Sequence, residues 1–386
     1  MPDTHTPLWI SARKLEALLK TAPTPLFVYD EKSLVRAVQA LFAAFSWNLG
    51  FLPRFPVRMA PDPAVLRILR GAGCGALCRD GRELRLAAAC DFAGPAVAYA
   101  PMRPDAAAEQ LARELGAVFV LDGPQVLPAF APEAAVLLLR QKEPLRISGR
   151  PVMGAPVSSA GMDEAELCRL AASLHAGGTR TLGLGMSLGN LCLDEGFYPA
   201  VFAQLAAAAA RLQEKTGLTP QIFDLGGGFG VSYRPDCPGP DLSVCAAALR
   251  AQTCALPEAL RGVRLTMSPG RFLAAGGGVL VCRVLAIKPG PVAVLDVSAA
   301  QCLRLEKRGA YHAAAALRTA GRPPLLQQLT TLEQGAPFAR QVLPQLHVGD
   351  PVVIRMLGAD GRSFSCTSER CPAYLLRADG TIGPIE

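Results

Sequence analysis

Between residues 56 and 269 the chain alternates short β-prone runs with amphipathic helical stretches, and few folds accommodate that rhythm repeated eight times. The β-prone runs fall at 56–59, 75–78, 96–99, 117–122, 135–140, 181–185, 222–226 and 264–269. Helical spacing fills intervals between them, as at 63–71, 81–90, 104–115, 162–175 and 198–216, the last closed by Gly217 as a C-cap. Eight strand–helix repeats are what a (β/α)8 TIM barrel of the α/β class requires. From periodicity alone, an open doubly wound sheet is the alternative.

After about residue 272 the character changes. Runs at 278–287, 292–297, 351–355 and 373–376 read as strands separated by Gly/Pro turns, with little helical spacing. The β-prone stretch 25–29 precedes the first repeat and is expected to pair into this later module. The predicted division is therefore a barrel over 31–271 and a β-rich domain built from 1–30 and 272–386. A chain of 386 residues is long enough to bury a core in both.

Composition narrows the function classes. The chain is 51% hydrophobic and 18% charged, which excludes a disordered protein. Its net charge of +7 comes from scattered arginines without a basic block or interleaved aromatics, so a nucleic-acid partner is not expected. No apolar run approaches the roughly 18 residues of a membrane span, and the first 13 residues lack an apolar signal core. No membrane association and a cytoplasmic location are the expectation. The close cysteine pairs, Cys74 with Cys78 and Cys366 with Cys371, do not have the Cys-x2-Cys spacing, and no histidine lies near them. His5, His175, His312 and His347 are dispersed, so no metal site is expected.

The sharpest local signal is Asp224-Leu-Gly-Gly-Gly-Phe-Gly230, four glycines in five residues directly after a strand. Such a loop lets backbone approach a ligand, and its N–H groups can form a nest for an anion. It follows the seventh predicted strand, and Met267-Ser-Pro-Gly-Arg271 follows the eighth. In barrels these two loops often hold a phosphate, to which Arg271 would add a guanidinium. A tight turn without a ligand and a surface arginine are the competing readings of the two loops.

These landmarks carry a resemblance. Thr24-Pro-Leu-Phe-Val-Tyr-Asp30, Pro61-Asp-Pro-Ala-Val-Leu66, Asp224 to Gly230, Ser268-Pro-Gly-Arg271 and Arg308-Gly-Ala-Tyr-His312 occur in the order found in fold-type III, pyridoxal phosphate-dependent amino-acid decarboxylases. The chain resembles the diaminopimelate and ornithine decarboxylase branch over nearly its whole length. The resemblance implies an alanine racemase-like barrel with a C-terminal β-rich domain, a dimer, and carboxy-lyase chemistry on an amino acid. It implies phosphate contacts at Gly226, Gly227, Gly228, Gly230 and Arg271, and substrate contacts at Glu333 and Arg304.

The departures fall at the positions of catalysis. Arg58 stands where the family has its Schiff-base lysine, and a guanidinium (pKa above about 12) has no amine lone pair to offer. Leu77 replaces an aspartate, and Ser187 the histidine that stacks on the cofactor ring. Ser268 replaces the glutamate that keeps the ring nitrogen protonated, which lets the ring act as an electron sink. Leu332 replaces the cysteine that reaches across a dimer interface, and Asp360 a tyrosine near the phosphate.

The leading expectation is a decarboxylase-like protein that has lost the standard reaction and binds a phosphorylated small molecule, pyridoxal phosphate or another, without a covalent bond. It would act as a homodimer or as a heterodimer with an active paralogue. Two other readings stand beside it. One is an enzyme with altered chemistry in which Arg58 clamps a carboxylate or phosphate. The other is a true decarboxylase holding its cofactor non-covalently. A structural role for Arg58, paired with Glu83 or Asp80, is the plain alternative at that position.

Overall fold

The computed structural model describes residues 8–141, 143–147, 149–152, 159–188, 191–234, 236–298, 301–302, 311–317, 321–334, 337–362 and 371–385. Its centre is a closed barrel of eight strands, each parallel to both neighbours. A short helix α1 (Ala12–Leu18) and strand β1 (Leu26–Asp30) come before it. The first five barrel strands are β2 (Leu52–Pro56), β3 (Gly75–Cys78), β4 (Val97–Tyr99), β5 (Val118–Leu121) and β6 (Ala134–Leu138). A two-stranded ribbon, β7 (Arg146–Ile147) and β8 (Arg150–Pro151), interrupts the series. Then β9 (Thr181–Gly185), β10 (Ile222–Asp224) and β11 (Arg264–Met267) close the barrel, with β11 pairing back onto β2. The doubly wound alternative is thereby excluded.

Aspartates start most of the surrounding helices. Asp30, Asp80, Asp105, Asp163 and Asp241 each accept a backbone N–H at the first turn of α2 (Glu31–Ala44), α4 (Gly81–Ala89), α5 (Ala106–Glu114), α6 (Glu164–Ala176) and α8 (Leu242–Cys254). Such a cap is worth about 1 kcal/mol. Pro63 opens α3 (Pro63–Gly71) at a position where its missing N–H costs nothing. The long α7 (Phe197–Thr216) ends at Gly217 in the left-handed region, as expected.

The helices bury their apolar faces against the outside of the barrel. On α2 these are Leu34, Val38 and Leu41, each contributing about 1.5–3 kcal/mol by leaving water. A separate inner cluster of Ala98, Val118, Val120, Val136, Leu138 and Ile222 fills the barrel itself. It forms the floor beneath the loops at the carboxyl ends of the strands.

Two expectations need correction. The first barrel strand runs over Leu52–Pro56, not 56–59. Residues Val57–Met59 form a 3-10 turn beyond it. Two prolines and an arginine make Leu52-Pro-Arg-Phe-Pro56 a poor strand by composition, yet barrel closure pairs it on both sides. Between β5 and β6 the described chain forms only a 3-10 turn, Pro124–Val126, because Pro124, Pro128 and Pro132 interrupt any longer helix.

The remaining strands form a mixed sheet of nine. Its path runs β16 (Ala339–Pro344), β15 (Pro324–Thr330), β13 (Val292–Leu295), β12 (Gly278–Lys288), β1, β18 (Ala373–Leu376) and β19 (Ile382–Pro384). Off this path, β17 (Pro351–Ile354) pairs with β12 and with β14 (Ala314–Ala316). As expected, β1 joins this sheet, antiparallel to β12 and parallel to β18. It leads directly into α2, while α9 (Gly270–Ala274) links the end of the barrel to β12.

One loop of the sheet reaches back to the barrel. Leu357 N–H donates to Gly278 O at 2.9 Å, Gly358 N–H to Ala275 O at 3.1 Å, and Asp360 N–H to Met59 O at 2.8 Å. Arg362 forms a buried ion pair with Asp62. A Cβ at position 358 would lie 1.9 Å from Ala274 O, so this close approach requires glycine. These contacts place Asp360 beside the turn that carries Arg58.

Candidate functional site

The carboxyl ends of the barrel strands surround a cavity of about 370 Å³. Strand direction decides what lines it. Leu77 and Arg79 come from β3 and its exit, and Ala100 from the exit of β4. Met186 and Ser187 follow β9, Asp224 ends β10 with Gly226, Gly227, Gly228 and Phe229 after it, and Ser268, Gly270 and Arg271 follow β11. Val120 and Leu138 form the apolar floor. Arg58 enters from the 3-10 turn after β2, and Asp360 from the loop of the mixed sheet.

Most of the sequence-derived site is brought together here. Arg58, Ser187, Ser268, Gly226, Gly227, Gly228 and Arg271 all line the cavity, with Leu77 and Asp360. Gly230 does not. Its N–H donates to Cys192 O at 2.8 Å, and a Cβ there would meet that oxygen at 2.4 Å. This glycine packs two loops together and offers no donor to a ligand. Glu333 lies on an exposed turn of the mixed sheet and is not part of this chain's cavity lining. Leu332 beside it is 42% exposed. Arg304 lies outside the described residues, as do residues 308–310 of the Arg308–His312 motif.

The glycine loop is fixed by its backbone. Gly226 has φ +68°, and an added Cβ would lie 2.2 Å from Met186 O. Gly228 has φ +104°, a region that L side chains rarely adopt. Gly226 N–H is spent on Asp224 Oδ1 at 2.9 Å. The N–H groups of Gly227 and Gly228 have no partner among the described residues. The anion nest read from four glycines thus reduces to two adjacent donors.

The wall formed at the exits of β2 and β3 is defined by charge. Arg58 is half-buried, and its Nη1 is buried without a hydrogen-bond partner among the described residues. Burial, followed by the neighbouring Arg79, lowers its pKa from the ordinary arginine value, while Glu83 and Asp360 act in the opposite sense. The proposed pairing with Glu83 or Asp80 is not formed. Glu83 accepts the Arg79 backbone N–H at 3.0 Å, while Asp80 caps α4 and pairs with Arg82 at 3.0 Å. Burial raises the Glu83 pKa, opposed by that N–H bond and by Arg58.

Arg271 is already engaged. Its Nη2 and Nε lie 3.1 and 3.3 Å from a single oxygen of Asp360, Oδ2. Sequence reasoning placed both residues near a phosphate without anticipating that they meet. It also missed Arg79 and Asp224 as cavity residues. Each stands at or just past the carboxyl end of a barrel strand, the position where such folds present functional side chains, and that rule would have found them.

Among the described residues no group of His, Cys, Asp and Glu has the arrangement of a metal site, and no helix is long and apolar enough to cross a membrane. Burial lifts the pKa of Cys74 and Cys78 well above the usual thiol value, so both are held as thiols.

Comparison with known proteins follows the same outline. Residues 32–275 match the family model of the pyridoxal-dependent decarboxylase, pyridoxal binding domain. Protein TabA of Pseudomonas amygdali pv. tabaci is 30% identical over 376 residues, covering 95% of this chain and 88% of that protein. A diaminopimelate decarboxylase of Methanothermobacter thermautotrophicus is 27% identical, covering 94% of this chain and 88% of its own length. In three dimensions, diaminopimelate decarboxylase from M. jannaschii in complex with L-lysine superposes with a TM-score of 0.82 at 19% identity, covering 97% of this chain and 91% of that one. A further diaminopimelate decarboxylase crystal structure gives 0.81 at 20% identity, covering 100% of this chain and 96% of that one.

Proposed function

The chain belongs to the pyridoxal-dependent decarboxylase family, and from that premise we propose that it no longer performs the family's lysine-linked reaction and instead binds a phosphorylated small molecule non-covalently. The observation that carries this reading is Arg58 in the cavity wall, with no lysine among the described residues that line it. Pyridoxal phosphate forms its protein link through a primary amine, and decarboxylation then draws electrons into the pyridine ring. The residues present do not fit a covalently held pyridoxal. They fit a phosphate in part, through the Gly227 and Gly228 N–H groups.

What these residues do follows from their chemistry. The two glycine amides hold an anionic oxygen. Arg58, whose buried Nη1 has no partner among the described residues, supplies a cation from the exit of β2 but cannot act as a nucleophile. Ser187 and Ser268 offer uncharged hydroxyls, so neither fixes a proton on a ring nitrogen as a carboxylate does. The same Nη1 favours a second reading, an enzyme of altered chemistry in which Arg58 clamps a ligand carboxylate.

Partnering belongs to the proposal as well. Leu332 and Glu333 sit on an exposed turn away from this chain's cavity, and Leu326 and Val342 of the same sheet are 46% and 65% exposed. We assign this face to a second subunit, a copy of this chain or an active paralogue.

The test is spectroscopic. The purified protein is scanned for the visible band of a lysine-linked pyridoxal, before and after adding the cofactor and after borohydride. The expected result is no reducible band, with a rise in melting temperature on adding a phosphorylated ligand. A stable, borohydride-reducible band that co-purifies with the protein would sink the reading.

A further inference from the structure

Arg271 and the glycine loop stand on adjacent strand exits, yet the two differ in availability. The Gly227 and Gly228 N–H groups have no partner among the described residues, whereas the Nε–Nη2 edge of Arg271 is turned onto Asp360 Oδ2. That edge is one of the two that a guanidinium can present to a pair of phosphate oxygens.

Asp360 is built in. Its backbone N–H is bonded to Met59 O at 2.8 Å, and its loop is anchored further by Leu357, Gly358 and the buried Arg362–Asp62 pair. Its φ of +61° lies in the left-handed region, which aspartate and asparagine tolerate better than other non-glycine residues. The Asp360 side chain is 22% exposed and that of Arg271 17%, so water screens their interaction only in part.

The charge balance points the same way. The described lining carries three guanidinium groups (Arg58, Arg79 and Arg271) against two carboxylates (Asp224 and Asp360). One net positive charge remains to face a ligand. A phosphate monoester at neutral pH brings close to two negative charges. Without the Asp360 carboxylate the described lining would balance such a group; with it, the lining is one charge short.

We propose that Asp360 is a specificity-determining residue of this cavity. It acts as a resident anion on Arg271, so the site favours ligands whose anionic group is singly charged, such as a phosphodiester or a carboxylate, over a phosphate monoester dianion. This rests on the reading of the cavity as an anion-binding site and specifies which anion it takes.

The experiment measures binding of pyridoxine 5′-phosphate and of pyridoxine by calorimetry near neutral pH. Neither probe has an aldehyde that could react with surface lysines. The proteins are the wild type, Asp360→Asn and Asp360→Ala, with thermal melts to establish folding. Asparagine suits the left-handed backbone and keeps a weak acceptor for Arg271. Alanine removes the acceptor.

The expected result is that both variants bind pyridoxine 5′-phosphate about tenfold or more tightly than the wild type, while pyridoxine affinity stays within about twofold. A purely structural role for Asp360 would move both probes together. If the wild type binds the phosphorylated probe as tightly as the variants do, the resident-anion role is overturned and the phosphate reading stands. If the variants bind it more weakly, Asp360 orients Arg271 for the phosphate and the proposal is also overturned. If no protein binds it, both the phosphate reading and this inference fall.

Discussion

The two walls of the cavity differ in what holds them. The glycine loop is shaped by backbone: Gly226 at φ +68° and Gly228 at φ +104° occupy conformations that a side chain would strain. The wall of Arg58, Leu77 and Arg79, from the exits of β2 and β3, is shaped by side chains standing on an ordinary barrel frame. A backbone-determined loop can persist while side chains elsewhere in the cavity change, because its geometry depends on the absence of Cβ atoms and not on any functional group. The difference teaches that a retained glycine loop is evidence for a fold and a place for an anion, and weaker evidence for a reaction.

The largest expected effect comes from the backbone wall. Gly226→Ala combines a positive φ with a contact of 2.2 Å to a carbonyl oxygen, and should cost about 2–4 kcal/mol of stability. Denaturant melts check this; a variant as stable as the wild type would show that the loop tolerates a side chain and would break the comparison. If the variant stays folded, its melting temperature should no longer rise with a phosphorylated ligand.

The side-chain wall predicts the opposite sign. Arg58→Met removes a half-buried guanidinium whose Nη1 has no partner among the described residues and whose pKa is lowered by burial and by Arg79. Stability should rise, by about 0.5–1 kcal/mol, while affinity for anionic ligands falls. A marked loss of stability in the melt would mean that Arg58 is structural, as its plain alternative supposed.

The smallest effect concerns the buried carboxylate near Arg58. Burial raises the Glu83 pKa, so the folded state binds its proton more tightly than the unfolded chain does. Its contribution to stability is therefore full below the ordinary glutamate value and is lost as pH rises through the raised one. Glu83→Gln keeps an acceptor for the Arg79 N–H and should remove this dependence. The difference in melting temperature between variant and wild type should shift in favour of the variant as pH rises from about 4 to 7. A flat difference across that range would indicate that Arg58 and the Arg79 N–H offset the cost of burial.

Much of the frame was legible along the chain. The barrel followed from a periodicity that any eightfold strand–helix repeat displays, and the pairing of β1 into the later sheet followed from a β-prone run with no other place to go. The first barrel strand was misplaced because its prolines and buried Arg54 contradict strand propensity, and only closure against β11 and β3 makes it a strand. Gly230 was misjudged for a related reason: a glycine at a close loop–loop approach and a glycine that cradles a ligand look identical in sequence.

The sequence by itself determined that the position of Arg58 carries no amine, since a side chain's chemistry is local and needs no fold to be known. It likewise determined where a glycine loop follows a strand. Only the tertiary structure decided that Arg271 meets Asp360, 89 residues further along the chain, at 3.1 Å, and that Arg58 Nη1 meets no acceptor among the described residues. Hydrogen bonds and ion pairs act over a few ångströms and fade rapidly beyond, so which charges neutralise one another depends on distances that the fold alone sets.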